Sequence, residues 1–252
     1  MIKEADRQRP SLIFEGMTSI SAVIKGGKRK IKRILYDMGR EKAKIKELNF
    51  LRHKSRELGF EMVSCTADEI EIYTTGNTHG GIIAECTEYI VPAFDPAKIS
   101  DNGFYVMIEG IEDPYNFGYA LRTIYASGAD GVLLTERNWM SAAGVVCRAS
   151  AGASEMMPMY SCSPSEAILK MKDLGYKIAC AGIRDSVSAF DADLRKPIFL
   201  IVGGEKRGIS SQILSMADTI VRLDYGREFN GSLSAASAAS ILAYEVLRQN
   251  IK

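Results

Sequence analysis

Residues 104–122 read Phe104-Tyr-Val-Met-Ile108, then Glu109-Gly-Ile-Glu-Asp-Pro-Tyr-Asn-Phe-Gly-Tyr-Ala-Leu-Arg122. An apolar run, a turn and a helical pattern in that order describe a buried strand feeding a helix. The same unit recurs downstream. Strands are expected at Phe104–Ile108, Gly131–Thr135, Lys177–Ala181, Ile198–Val202 and Thr219–Leu223. Helical patterns alternate with them at Asn116–Ser127, Ala142–Ser150, Ser165–Leu174 and Leu233–Gln249. Continuous apolar strands separated by helices imply an α/β fold with a mainly parallel sheet covered on both faces. Ligands of such sheets bind beyond the carboxyl ends of the strands, so chemistry is sought in the loops that follow them.

Upstream of this region lies a smaller α/β unit. Gly16–Ile24 reads as a short helix, and Arg33–Asp37, Phe60–Ser64 and Gly81–Cys86 read as strands. Glu41–Leu58 reads as a helix with Ile45, Leu48, Leu51 and Leu58 on its apolar stripe. The segment 91–102 carries two prolines and no periodicity, which marks a connection. The expected organisation is a basic domain at 1–92, a linker at 93–102 and a larger domain at 103–252.

The net charge of +1 conceals a segregation. Residues 1–60 hold 16 Lys and Arg against 7 Asp and Glu, a balance of +9; the remainder carries −8. Such asymmetry suggests that one segment meets a polyanion. The densest run contains Lys25, Lys28, Arg29, Lys30, Lys32 and Arg33, and a solvated helix face would explain cations here equally well. Five separated cysteines form no CxxC pair, and with only His53 and His79 available no zinc-ligand spacing exists. Neither a signal peptide nor an apolar run of about 18 residues is visible, so a reduced, cytoplasmic protein is expected, without membrane or metal partners.

Three loops stand out. In the first, Asn116 could simply cap the next helix, with Gly118 allowing close backbone approach and Arg122 further in. The second, Val202-Gly-Gly-Glu-Lys-Arg-Gly-Ile-Ser210, is no P-loop, because Ile209 stands where the phosphate-binding Lys belongs. Its glycines around one acidic residue suggest backbone lining a pocket; a turn with a surface Glu is the plainer alternative. The third, Asn230–Ser240, has nine small residues in eleven, which suits close helix packing, a subunit interface or a ligand.

The order and spacing of these segments carry more than each alone. Asn116-x-Gly118-x-x-x-Arg122, then Gly203-x-Glu205-x-x-Gly208-Ile-Ser, then Ser232-Leu233 opening a small-residue helix, resemble the three motifs of the SpoU (TrmH-like) RNA ribose 2′-O-methyltransferases. Arg148-Ala-Ser-Ala-Gly-Ala153, followed by Pro158, and the His79-Gly80-Gly81 loop resemble the family as well. The likeness spans about residues 12–250. Two departures stand out: Gly204 replaces the usual Asn of the second motif, and Ser234 and Ala236 replace the Asn and second Ser of the third.

The resemblance implies a SPOUT-like domain with a C-terminal trefoil knot, a ribosomal-protein-like N-terminal domain, bound S-adenosyl-L-methionine and a homodimer. Cofactor contacts would fall on Gly203, Leu223 and Leu233, with Ala181, Gly182 and Gly204 beside them. Arg122 would bind the adjacent phosphate and lower the pKa of the ribose 2′-hydroxyl, since a guanidinium is a poor general base. Asn116 would orient backbone or ribose, Glu205 would hold Arg122 or a loop, and Ser232 would complete the site. Lys28, Arg29, Lys30, Lys32, Arg33 and the 41–58 helix would grip RNA phosphates, with His79 a turn residue or an RNA contact. The expected activity is methylation of a ribose 2′-hydroxyl, in ribosomal RNA because the extra domain suits a large substrate. The alternatives are a tRNA or other nucleotide target, or a cofactor-binding RNA chaperone or assembly factor that has lost catalysis.

Overall fold

A computed structural model describes residues 12–74, 77–135, 142–204 and 208–251. The chain forms two compact units, one of Met1–Ile90 with Asn138–Met156, the other of Val91–Arg137 with Met157–Lys252.

The first unit begins with β1 (Leu12–Glu15), whose Leu12 and Phe14 turn inward, and α1 (Gly16–Gly26), which ends at Gly27 in the left-handed region at φ 63°. Then come β2 (Ile31–Asp37), α2 (Ile45–Leu58), β3 (Glu61–Cys65), α3 (Ala67–Glu71) and β4 (Ile82–Cys86). The sheet order is β1-β4-β2-β3. β4 runs antiparallel to both β1 and β2, while β2 and β3 are parallel. α2 starts four residues later than its pattern predicts. Asp37 accepts a hydrogen bond from the Gly39 N–H at 2.8 Å and caps a 3-10 turn over Met38–Arg40, which occupies the chain first. The stripe of α2 is also narrower than expected: Leu48 and Leu51 are fully buried, but Ile45 and Leu58, near its two ends, are 44% and 50% exposed.

Two helices from later in the chain complete this unit, α5 (Ala143–Ala149) and α6 (Ala153–Met156). They pack on β1 and α1 through small residues. A Cβ on Gly144 would sit 2.0 Å from the Ile13 carbonyl oxygen, and one on Gly152 would sit 2.4 Å from the Ala22 methyl. Ala143 and Cys147 thereby enter the core around Phe14, Ile20 and Ile34. The sequence boundary at 103–252 therefore needs correcting. Strand order along the chain cannot reveal that an inserted segment packs elsewhere.

The second unit is built on a seven-stranded sheet whose hydrogen-bonded neighbours are all parallel. Its elements are β5 (Phe104–Ile108), α4 (Pro114–Ala126), β6 (Gly131–Leu134), β7 (Met159–Ser161), α7 (Pro164–Asp173), β8 (Lys177–Ala181), β9 (Val187–Ser188), β10 (Ile198–Val202), α8 (Ser211–Leu214), β11 (Thr219–Arg222) and α9 (Ala235–Asn250). The order is β7-β6-β5-β10-β8-β11-β9. All five predicted strands are present. The edge strands β7 and β9 were missed because two or three residues carry no legible period. Strands β6, β5 and β10, neighbours in that order, are buried throughout, as expected for a sheet covered on both faces.

The stretch 93–102 is not a free connection. Ala93 bridges to Ser161, the Phe94 N–H donates to the Ser161 carbonyl at 2.9 Å, and Phe94 and Ile99 lie in the core with Tyr105 and Tyr176. Prolines exclude ladder donors, not burial. No helix among the described residues is long and apolar enough to cross a membrane.

Candidate functional site

In the second unit the carboxyl ends of β5, β10, β8 and β11 lie side by side. Val202 pairs with Ile108, Ile201 with Cys180, and Val221 with Ala181. This register brings Gly110, Gly203, Gly204, Ala181, Gly182 and Leu223 to one end of the sheet, where open α/β sheets bind ligands. The loop after β10 doubles back: Gly204 and Gly208 form an antiparallel bridge, and the Gly208 N–H donates to the Gly204 carbonyl at 3.0 Å. A Cβ on Gly203 would lie 2.5 Å from the Gly208 carbonyl carbon, and one on Gly204 would lie 2.3 Å from the Gly110 carbonyl oxygen. Glycine is required at both positions by packing, so the departure at Gly204 has a physical cause.

Leu223 and Leu233 line one groove of about 600 Å³, together with Phe190, Tyr225, Ile241 and Tyr244. The Tyr225 hydroxyl accepts from the Leu233 N–H at 3.3 Å, and its ring meets Phe229 edge-on at 5.7 Å. These contacts shape the 225–233 loop into one wall. The groove is mostly apolar, with Asp224, Glu245 and Arg248 as its charged members. Phe190, Tyr225 and Tyr244 were not singled out in the sequence. Isolated aromatics carry no period, and only the fold gathers them.

The residues of α4 are arranged differently from the plain capping alternative. Asp113, not Asn116, caps the helix, its carboxylate accepting the Asn116 N–H at 2.8 Å. Pro114 fills the first turn, where a missing N–H costs nothing. The Asn116 side chain is thus not consumed by a cap. Arg122 lies two turns along on the exposed side of α4, beside Thr123, which lines the groove. It has no ion-pair partner among the described residues. α4 packs against α9. Ser232 is exposed ahead of α9, and Ser234 is that helix's N-cap, its hydroxyl accepting the Ser237 N–H at 3.1 Å. α9 accordingly starts at Ala235 rather than Leu233. Glu205 lies outside the described residues.

One group escaped the sequence reading. Glu109 follows β5 directly, and its Oε2 is buried without a hydrogen-bond partner among the described residues. Its backbone N–H donates to the Val202 carbonyl at 2.9 Å, which places it in the row of strand ends beside Gly203. A buried carboxylate oxygen without a donor is costly and marks where a donor belongs.

The basic segment of the first unit proves largely structural. Arg29 forms an ion pair with Glu155 at 2.9 Å, both side chains only 4% exposed, and its guanidinium lies over the Phe14 and Tyr89 rings. The Lys28 ammonium donates to the Ser154 carbonyl at 3.1 Å, and burial lowers its pKa to about 8. Arg33 pairs with Glu85 at 2.7 Å. Arg29 is therefore corrected from a phosphate contact to a clasp that holds α6, and the half-buried Lys28 bonds the same helix. A run of cations in one dimension does not disclose that a carboxylate over a hundred residues away returns to meet it. Lys30 and Lys32 remain exposed, as do Lys42, Lys46 and Arg56 on or before α2. His79 ends a 3-10 turn, and its Nδ1 accepts the Gly81 N–H at 3.1 Å. The five cysteines are free and buried, and burial pushes Cys86, Cys147 and Cys180 up to about 12, so these are inert thiols. No cluster of His, Cys, Asp or Glu able to hold a metal ion occurs among the described residues.

Comparison with known proteins gives a consistent result. The model of the SpoU rRNA Methylase family matches residues 103–244. The chain is 28% identical over 244 residues to a Staphylococcus saprophyticus protein assigned to the TrmH family of tRNA/rRNA methyltransferases, covering 94% of this chain and 96% of that one. Among solved structures it shares the fold of an RNA 2′-O ribose methyltransferase, with TM-score 0.77, 24% identity and coverage of 99% and 92%. It also shares that of an AdoMet-bound rRNA methyltransferase from Sinorhizobium meliloti, with TM-score 0.80, 21% identity and coverage of 96% and 89%.

Proposed function

Because the chain belongs to the SpoU rRNA Methylase family, we propose that it transfers a methyl group from S-adenosylmethionine to a ribose 2′-oxygen of ribosomal RNA. The observation that carries this reading is the placement at one sheet end of the Gly203–Gly204 loop and of Leu223, which also lines the apolar groove, with Arg122 exposed on α4 and without an ion-pair partner among the described residues.

The residues present fit the cofactor. The groove is apolar and of nucleoside size, the glycine loop exposes backbone groups, and the orphan Glu109 oxygen suits a cationic or hydroxyl-bearing ligand. Leu223 and Leu233 would flank it, and Gly203, Gly204, Ala181 and Gly182 would meet it through the backbone. When bound, S-adenosylmethionine supplies a methyl group already activated on a sulfonium. The protein is left to align the acceptor and polarise it. Arg122 holds the phosphate beside the target ribose, and its fixed positive charge favours the 2′-oxyanion as the hydroxyl proton is lost to solvent water, the 2′-oxygen gaining the methyl that the sulfonium gives up. Asn116, freed from capping, hydrogen-bonds the ribose or the facing backbone. Ser232 completes the polar rim, and Glu205 braces Arg122 or its loop.

We extend the reading to the assembly and the topology. Tyr119, Ile241 and Tyr244 on α4 and α9 are 52%, 47% and 50% exposed. An apolar face of this kind supports a homodimer formed through these helices. The position of β10 between β5 and β8, with β11 returning beyond β8, supports the trefoil knot. Buried free thiols suit a reducing cytoplasm.

A second reading is favoured by one observation. The Ser234 hydroxyl, at the position of the family Asn, is taken up by capping α9, so a different nucleotide target such as tRNA, or an assembly factor without catalysis, would account for it. Tritiated-methyl transfer to total cellular RNA, followed by nucleoside mapping, decides among them. A 2′-O-methylated nucleoside in ribosomal RNA supports the proposal, label in tRNA or on a base redirects it, and absence of transfer alongside retained cofactor and RNA binding favours the assembly factor.

A further inference from the structure

We propose that a polar pocket of the first unit, lined by Lys44, His79, Arg148 and the first turn of α1, binds a phosphodiester of the RNA substrate. This rests on the RNA-methyltransferase reading and relocates the RNA contact that the buried Arg29 side chain cannot make.

The pocket has about 320 Å³, room for a phosphate with its ribose, and all its walls come from one unit. Its donors approach from three sides. On one wall, α1 begins at Gly16 after Glu15, whose side chain makes no cap hydrogen bond. Gly16, Met17, Thr18 and Ser19 of this first turn line the cavity, where an 11-residue helix has N–H groups without intrahelical acceptors. On a second wall, Arg148 is held by an ion pair to Glu15, and its side chain keeps 22% exposure. The guanidinium is therefore oriented in advance yet reachable by solvent. On the third wall, Lys44 is anchored to Glu47 at 2.9 Å and keeps 33% exposure.

His79 lines the pocket and adds a donor. Its Nδ1 accepts the Gly81 N–H at 3.1 Å, so in the neutral ring the proton sits on Nε2. Backbone geometry keeps the cavity open: Gly16 and Gly80 adopt φ of 78° and 61°, and Ala151, also in the lining, holds φ 51° without being glycine. The charged groups of the lining are two cations and one carboxylate, and that carboxylate is engaged by Arg148. Lys44 is likewise paired, with Glu47 outside the lining, so within the cavity cations outnumber carboxylates and the lining favours an anion; under the methyltransferase reading the polyanion this protein meets is RNA.

The test uses the full-length protein and a fluorescein-labelled 20-nucleotide single-stranded RNA, read by fluorescence anisotropy between 50 and 200 mM KCl. His79→Asn keeps an acceptor near the Nδ1 position for Gly81 but removes the Nε2 donor. His79→Gln keeps the reach of Nε2 and loses the loop acceptor. The expected result is about a tenfold loss of RNA affinity for His79→Asn and near wild-type binding for His79→Gln. For Lys44→Ala the slope of log K against log salt should fall by about 0.7, one phosphate contact on a single strand. The reverse order of the two His79 variants would mean a purely structural histidine and would overturn the proposal. Wild-type affinity and slope in both His79→Asn and Lys44→Ala would overturn it too. So would inorganic phosphate bound at micromolar concentration with no effect on RNA affinity, which would mark a free-anion site. S-adenosylmethionine binding and methyl transfer are measured on the same samples. Active wild type with variants of unchanged RNA affinity removes the pocket alone, whereas wild type without RNA binding or transfer removes the methyltransferase reading as well.

Discussion

Single side chains in this protein divide by what their surroundings leave them free to do. Arg122 has no ion-pair partner among the described residues and stands on α4, whereas Arg29 is fully committed to Glu155. Replacing Arg122 with Ala should reduce turnover by about 10²–10³-fold, the loss typical of one preorganised electrostatic group, with S-adenosylmethionine affinity within about threefold of wild type. Single-turnover kinetics beside isothermal titration checks this, and equal losses in both would exclude the role. Lys28 gives a pH signature. Its pKa is lowered from 10.5 to about 8 by burial, so the native state sheds a proton before the unfolded chain does. The cost of burying its charge is fully present below about pH 8, and stability should rise from about pH 8 to 10.5 as that cost is relieved. Lys28→Met should abolish this rise in denaturant titrations across that window.

At the level of elements, α6 is held by charges rather than by a large apolar face. It is only four residues long, and a helix so short has little stability of its own. Arg29 meets Glu155, and Lys28 meets the Ser154 carbonyl, at its two successive residues. Removing one partner of a buried pair leaves the other unpaired at a cost of about 3–5 kcal/mol. Glu155→Gln should therefore lower the stability of the first unit by roughly that amount, while Arg29→Met combined with Glu155→Leu should recover most of it; urea unfolding monitored by circular dichroism measures both. The glycine loop after β10 follows the opposite logic. It is held by backbone approach, so its sequence signature is small residues rather than charge.

Across the whole molecule, the exposed face of α4 and α9 leads to a prediction about assembly. Tyr244→Glu should shift the protein toward monomer in sedimentation velocity, since a charge placed in an apolar interface is strongly disfavoured, and a wild type already monomeric at working concentration would refute the dimer. Much of the molecule was legible in one dimension. The strands at 104–108, 177–181 and 198–202 carry unbroken apolar runs, so periodicity alone placed them and implied the parallel sheet. The spacing of Asn116, Arg122, Gly203 and Ser232 pointed to the candidate site through local motifs, which are written in neighbouring residues. The tertiary structure alone decided that 143–156 packs with the first unit, that the Arg29 side chain is buried against Glu155, that Phe190, Tyr225 and Tyr244 share a groove, and that Lys44, His79 and Arg148 line one pocket. Each of these joins residues far apart in the chain, and pairing between distant residues is set by packing and desolvation in three dimensions, which leave no periodic trace in the sequence.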